Sequence, residues 1–153
     1  MLLFTIIIIM FFRFARVVGE SMEPTLVNGQ RGLTIMNRFG LYSPNRFDIV
    51  LVQKEGSEKV LVKRVLGLPG DKITIKSNSL FINDVVVDEK YINEEMVTND
   101  LEMVLGDDEI FVLGDNRNNS IDSRDPSIGA VKYKEEVVAK FILDLKDFTL
   151  INI

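Results

Sequence analysis

The sequence contains no cysteine and no histidine among its 153 residues. The absence of cysteine excludes disulfides and thiol nucleophiles, and the absence of histidine excludes a Ser-His-Asp triad and most zinc sites. Basic residues are fewer than acidic residues: the sequence has 18 Lys and Arg and 23 Asp and Glu, which gives a net charge of −5. We therefore expect no nucleic-acid partner, and any acid–base chemistry must use Asp, Glu, Lys or Tyr.

The N-terminus is the longest uncharged apolar stretch, MLLFTIIIIMFF at residues 1–12. As a helix it would span roughly 18 Å, short of the ~30 Å hydrocarbon core of a bilayer unless residues 13–18 extend it. A short membrane anchor, a removable signal peptide and a buried first element are all compatible with it. We assign residues 1–18 to a membrane anchor or membrane-proximal segment. Arg13 and Arg16 follow the apolar run, whereas a secretory signal carries its basic residues before it. In an anchor whose N-terminus is cytoplasmic, these arginines would lie on the non-cytoplasmic side of the membrane.

Beyond Gly19 the hydrophobic pattern alternates with a period of two, which predicts a mostly antiparallel β protein. A chain of this length supports one core and not two ordinary domains. Short helices are predicted around residues 23–27 and 133–138, and the acidic stretch 88–109 is interpreted as a solvated excursion that interrupts the sheet. The predicted strands are DIVLVQ (48–53), VLVKRVLG (60–67), KITIKS (72–77), LFINDVVV (80–87) and EIFVLGD (109–115).

A serine nucleophile in a chain without histidine needs a lysine base that is held neutral. Lys63, in VLVKRVLGL, is flanked by aliphatic residues on both sides, and desolvation among them would lower its pKa. Ser21, in GESMEPTL, is the candidate nucleophile. Each residue has a simpler interpretation on its own: Lys63 as a solvated lysine on an edge strand, and Ser21 as a helix N-cap.

Three motifs in order, SMEPTL, KRVLGLPGD and FVLGDNRNNSIDSR, resemble those of bacterial type I signal peptidases, membrane-bound Ser/Lys proteases that cut signal peptides from exported proteins. The resemblance extends from the apolar N-terminus to GAV at 129–131. It implies that Ser21 is the nucleophile that forms an acyl-enzyme and that Lys63 is its general base. The lysine distinguishes this pattern from the endoplasmic-reticulum and sporulation types, which use histidine at that position.

The resemblance also implies supporting roles for residues around this dyad. Ser120 would hydrogen-bond the lysine amine, and Met22 would pack beside the site. Two ion pairs would position the dyad without taking part in the chemistry: Arg64 with Asp115, and Asp122 with Arg124.

One position departs from the common pattern. Many family members carry, two residues before the nucleophile, a serine whose hydroxyl completes the oxyanion hole, and this chain has Gly19 there. Backbone N–H groups or water would then have to hold the oxyanion.

The fold implied by the resemblance is an antiparallel β catalytic core over residues 19–153, with a small β subdomain inserted at about 72–112. The implied partners are signal-peptide-bearing preproteins and the lipid bilayer, with the catalytic domain on the extracytoplasmic face of the cell membrane. Apolar residues near the site would rest on the bilayer: Phe14, Met22, Phe39 and Leu41.

No cofactor or metal is implied, because Arg117 stands where a calcium loop needs an oxygen ligand. A self-cleaving repressor would need an Ala-Gly cleavage site and a DNA-reading module, and neither is found. A non-catalytic module that binds or helps assemble exported surface or pilus-type proteins is the alternative, but it would be free to lose Ser21 and Lys63.

Overall fold

The computed structural model describes residues 10–145, which form two antiparallel β-sheets. The large sheet has seven strands in the order β1-β2-β11-β3-β4-β9-β10, so its last strand in sequence lies between β2 and β3. This confirms the predicted antiparallel β architecture. The strands are β1 (Phe12–Arg16), β2 (Arg31–Met36), β3 (Ile49–Val52), β4 (Leu61–Gly67), β9 (Glu109–Leu113), β10 (Val131–Lys132) and β11 (Val137–Asp144).

The second sheet lies between β4 and β9 in the sequence and has the order β7-β6-β5-β8. A β insertion is therefore present, but it ends at Val104, whereas the predicted boundary at 112 included most of β9, a strand of the large sheet. Part of the excursion predicted at 88–109 is β8, which pairs with β5. Its strands are β5 (Lys72–Lys76), β6 (Ser79–Ile82), β7 (Val85–Val86) and β8 (Leu101–Val104).

The two sheets share a hydrophobic core where β4 ends. Leu66 and Phe111 from the large sheet pack with Ile73 and Ile75 from the second sheet, and all four are at most 1% exposed. Gly67 permits this approach, because a Cβ there would lie 2.6 Å from the Ile73 side chain. The strand that carries Lys63 therefore runs directly into the junction between the sheets.

The N-terminal part of the described chain differs from the predicted anchor. Residues 1–9 lie outside the described residues, Met10 and Phe11 are helical, and Phe12–Arg16 is a strand paired with β2. The helix that begins in the apolar run therefore does not extend through Phe12–Arg16. Within residues 10–145, none of the helices combines the length and the apolar character that crossing a membrane requires.

Of the two predicted short helices, one is present and the other is not. Helix α1 (Tyr133–Glu136) forms one turn, and the chain then enters β11 at Val137 instead of continuing to 138. Around 23–27 the prediction was wrong, because residues 21–25 form turns in which Leu26 N–H donates to Met22 O at 2.9 Å.

Candidate active site

Ser21 lies in the turn between β1 and β2, and buried apolar side chains fix that turn. Met22 and Leu26 are 1% and 0% exposed and pack with Val17, Ile49 and Phe141. Met22 was expected beside the site and also on the bilayer surface, and its burial makes the second expectation wrong. The turn thus holds Ser21 while the residue after it is anchored in the core.

Lys63 lies on β4, in the interior of the large sheet between β3 and β9, so the edge-strand interpretation is wrong. Its side chain is buried, and its Nζ lies 2.7 Å from Ser21 Oγ. The same nitrogen donates to Val62 O at 2.9 Å. The Ser21 hydroxyl contacts the lysine amine and caps no helix, since residues 21–25 form turns.

Burial lowers the pKa of Lys63 from 10.5 to about 8. The charges of Asp122 and Asp115 oppose this shift by raising the pKa, and Arg124 adds to it. With a pKa near 8, about one amine in ten is neutral at pH 7, and the neutral fraction grows as the pH rises. The amine can therefore act as a base near neutral pH, which free lysine cannot.

The loop 114–124 closes over the dyad by close backbone approach. A Cβ at Gly114 would lie 2.2 Å from Ser120 Oγ and 2.5 Å from Ser21 O, so a larger residue cannot occupy this position without displacing the loop. Asn116 N–H donates to Ser21 O at 3.0 Å. The loop thus rests directly on the backbone of the candidate nucleophile.

Arg64, next to Lys63 on β4, forms a bidentate ion pair with Asp115. Arg64 Nε donates to Asp115 Oδ1 at 2.8 Å and its Nη2 to Oδ2 at 2.6 Å, and both residues are buried. Thr25 Oγ1 also donates to Asp115 Oδ2, at 2.5 Å. The expected pair is present, and Thr25 extends it to the Ser21 turn. Thr25 lies in the SMEPTL motif, and that position is the sequence signal from which its role beside Asp115 could have been predicted.

The second expected pair, Asp122 with Arg124, is also present. Arg124 Nε donates to Asp122 Oδ1 at 2.8 Å and Nη2 donates to Oδ2 at 2.9 Å. Asp122 Oδ2 accepts a further bond from Gly114 N–H at 3.0 Å. The pair therefore fixes the start of the same loop.

Ser120 does not make the bond expected of it. Its Oγ is buried and has no hydrogen-bond partner among the described residues, and Lys63 Nζ contacts Ser21 and Val62 instead. The amine donates to a backbone carbonyl of its own strand, which replaces the contact that the sequence motif suggested.

Gly19 adopts φ +96°, a left-handed conformation in which a serine would be strained. Its N–H donates to Asn28 Oδ1 at 3.2 Å. Ser21 N–H donates to no residue within 10–145.

Among the remaining predicted surface residues, Phe14, Phe39 and Leu41 are exposed. Two residues outside the predicted set also form an ion pair: the buried Arg117, in the loop 114–124, and the partly buried Glu89. Within the described residues, no group of three or more acidic side chains could hold a metal ion.

A serine hydroxyl in contact with a buried lysine amine, on an antiparallel β scaffold, is the arrangement of a Ser/Lys hydrolase. Comparison with known proteins identifies the family. The sequence matches the family described as signal peptidase, peptidase S26, over residues 1–144. The chain belongs to this family.

Similar proteins carry the name signal peptidase I. The sequence is 41% identical over 121 residues to signal peptidase I P of Bacillus subtilis subsp. natto, covering 71% of this chain and 64% of that protein. It is 37% identical over 132 residues to signal peptidase I U of Bacillus subtilis strain 168, covering 80% and 70%. The chain thus spans 64% and 70% of these relatives.

The fold is similar to the crystal structure of a signal peptidase I from Enterococcus faecalis V583. The TM-score is 0.54 at 31% sequence identity, and the alignment covers 63% of this chain and 97% of that one.

Proposed function

We propose that this chain is a membrane-bound serine endopeptidase that removes N-terminal signal peptides from exported preproteins and cleaves after small residues. The observation that carries the proposal is the 2.7 Å distance between Ser21 Oγ and a buried Lys63 amine whose pKa is lowered to about 8. The substrate class is taken from the relatives, which are named signal peptidase I.

In the proposed reaction the neutral Lys63 amine accepts the Ser21 proton while Oγ attacks the scissile carbonyl. The tetrahedral intermediate collapses when the lysine ammonium returns that proton to the leaving amine, which breaks the C–N bond and leaves an acyl ester on Ser21. The amine, neutral again, then takes a proton from water, which attacks the ester. Collapse of this second intermediate returns the proton to Ser21 and frees the signal peptide with a new carboxyl end.

The oxyanion of both intermediates needs a hydrogen-bond donor. Gly19 has no hydroxyl, and its N–H is directed at Asn28, so the donor that the common pattern supplies is missing. We assign this role to Ser21 N–H, which donates to no described residue. Loss of one such donor costs about 10²–10³-fold in rate in other enzymes, so we expect a slow enzyme unless substrate or water supplies a second.

The membrane setting belongs to the same proposal. Residues 1–18, as anchor and membrane-proximal segment, would hold the chain at the cell membrane, with residues 19–153 on the extracytoplasmic face, where preproteins emerge. The exposed Phe14, Phe39 and Leu41 would rest on the bilayer. No observation favours the non-catalytic alternative.

The test is cleavage of a preprotein in detergent micelles, read by mass spectrometry of the product N-terminus from pH 6 to 10. Ser21→Ala and Lys63→Ala should each lower the rate at least about 10³-fold. The matched controls Ser43→Ala and Lys59→Ala change exposed residues and should leave the rate unchanged. The parent rate should rise with pH through a pKa near 8. Cleavage by Ser21→Ala at the parent rate would refute the proposal.

A further inference from the structure

The segment that follows β7 reaches the back of the catalytic loop through Glu89. Arg117 Nη1 donates to Glu89 Oε2 at 2.7 Å and Nη2 donates to Oε1 at 2.5 Å. The two side chains are 0% and 9% exposed. A fully buried guanidinium thus has a bidentate carboxylate partner that comes from outside the large sheet. Such a pair is strongly directional, because both nitrogens are fixed at once.

Arg117 connects this carboxylate to the backbone of the loop 114–124. Its Nε donates to Gly114 O at 3.0 Å, and its own carbonyl accepts from Arg124 Nη2 at 2.7 Å. Gly114 N–H in turn donates to Asp122, which pairs with Arg124. These bonds form a closed ring, and Gly114 is the member that abuts Ser21 O.

Tyr91 joins the same segment to β4. Its hydroxyl donates to Glu89 Oε1 at 2.8 Å, and its ring lies 4.1 Å from the Arg64 guanidinium carbon and 6.0 Å from that of Arg117. Burial and the neighbouring Glu89 raise the pKa of Tyr91, so the phenol stays protonated as a donor. The segment therefore contacts both arginines that hold the loop.

We propose that Glu89 is a positioning residue for the dyad, which acts through Arg117 to fix the loop 114–124 against Ser21 and Lys63. The proposal rests on the proposed function insofar as it concerns catalysis. It assigns the insertion between β4 and β9 a task beyond stability, since the insertion supplies the carboxylate that orients the loop.

Loss of this carboxylate has a predictable physical consequence. Burial opposes the charge of Arg117, but the hydrogen bond and charge of Glu89 raise its pKa, so the residue stays a cation. Without Glu89 the cation would move toward water and release Gly114 O. Water would then reach Lys63. Because burial is the main cause of the lowered Lys63 pKa, that pKa should rise. The other groups that affect it are the charged Asp115, Asp122 and Arg124.

The experiment measures the pKa of the Lys63 amine by NMR of the full chain, carrying isotope-labelled lysine, in detergent micelles. Glu89→Gln keeps the shape of the side chain and removes its charge, and we expect the Lys63 pKa to rise by at least about half a unit. The matched control is Asp88→Asn, which makes the same charge change one residue away, in an exposed pair with Lys90. It should leave the Lys63 pKa unchanged.

Preprotein cleavage by the same proteins gives the second readout. At pH 8 we expect kcat of Glu89→Gln to fall about 10-fold or more with KM within about 2-fold, because misplaced groups slow the chemical step. Part of this loss should be recovered at higher pH, where the amine is deprotonated again. Glu89→Asp keeps the carboxylate and should lie between parent and Glu89→Gln in both readouts.

An unchanged or lower Lys63 pKa in folded Glu89→Gln would overturn the proposal, whatever the activity. If circular dichroism shows that Glu89→Gln does not fold, the variant Arg117→Met takes its place. It removes the buried cation and the bond to Gly114 O, and we expect the same rise in the Lys63 pKa. A folded Arg117→Met with the parent pKa would overturn it equally. Because the NMR titration needs no substrate, a parent that cuts no preprotein would count against the proposed function alone.

Discussion

Ion pairs around the dyad and ion pairs of the second sheet differ in how much water reaches them. The side chains of Arg64 and Asp115 are 6% and 0% exposed, whereas those of Lys72 and Asp84, which pair between β5 and the turn after β6, are 38% and 77% exposed. Exposed pairs contribute roughly 0–1 kcal/mol, because solvent screens them and ordering two side chains costs entropy.

Buried pairs follow a different rule. The cost of desolvating two charges offsets most of their attraction, so the intact pair adds little net stability, yet removal of one partner leaves an uncompensated charge. The comparison therefore predicts that removing one partner costs far more stability near Ser21 and Lys63 than in the second sheet. The following predictions test it, beginning with the largest effect.

Removing the charge of Asp115 should have the largest effect on stability. Asp115→Asn leaves the buried Arg64 guanidinium facing an amide and disturbs the bond from Thr25. We expect a loss of about 3–5 kcal/mol in the free energy of unfolding. Urea unfolding followed by circular dichroism measures this loss. The slope of the free energy of unfolding against urea concentration should stay unchanged. A loss below about 1 kcal/mol would place this pair with the exposed ones.

Replacing the buried base should stabilise the protein. The folded pKa of Lys63, about 8, lies below its unfolded value of 10.5, so below pH 8 the charged amine destabilises the fold by roughly 3 kcal/mol, and this penalty disappears as the pH rises to 10.5. Lys63→Met removes the penalty but also the contacts with Ser21 and Val62. We therefore expect a net gain of about 1–2 kcal/mol at pH 7.

The pH dependence separates this effect from better packing of methionine. Between pH 8 and 10.5 the gain from Lys63→Met should turn into a net loss of about 1–2 kcal/mol in urea unfolding experiments, because the penalty disappears while the lost contacts with Ser21 and Val62 remain. An equal gain at both pH values would show that charge burial is not its cause.

The exposed pair of the second sheet gives the smallest effect. Asp84→Asn weakens the 3.1 Å contact with Lys72, while Glu102, 3.6 Å from the same amine, stays in place. We expect no measurable change in the free energy of unfolding. Thermal unfolding at low and at 0.5 M salt checks this, since whatever small effect exists should vanish at high salt. A loss as large as that of Asp115→Asn would contradict the distinction between the two regions.

Much of the large sheet was predictable from local pattern, whereas the pairing of Ser21 with Lys63 was predictable only from the resemblance of the three motifs. The alternation in DIVLVQ and VLVKRVLG predicted β3 and β4, because a half-buried strand repeats every two residues. The motifs around Ser21, Lys63 and Asp115 identified residues that the fold brings together, although they lie far apart in sequence.

Other features depend on contacts that local pattern does not encode. FRFAR alternates as a strand does, but the adjoining apolar run made it look like the end of an anchor, and β1 forms by pairing with β2. Glu89 and Arg117 are 28 residues apart, and Glu89 lies in the acidic stretch that was interpreted as solvated, so no local signal predicts their ion pair. The isolation of Ser120 Oγ likewise depends on the direction that the Lys63 side chain takes within the fold.

The place of β11 in the large sheet bears on the order in which the candidate site can be assembled during folding. β2, beside the Ser21 turn, and β3, beside the Lys63 strand, are not paired with each other in the described chain, and each pairs with β11. Until residues 137–144 lie between them, these two halves of the sheet lack the strand that joins them. We therefore expect the contact between Ser21 and Lys63 to form only after the strand that comes last in sequence among the described residues has joined the sheet.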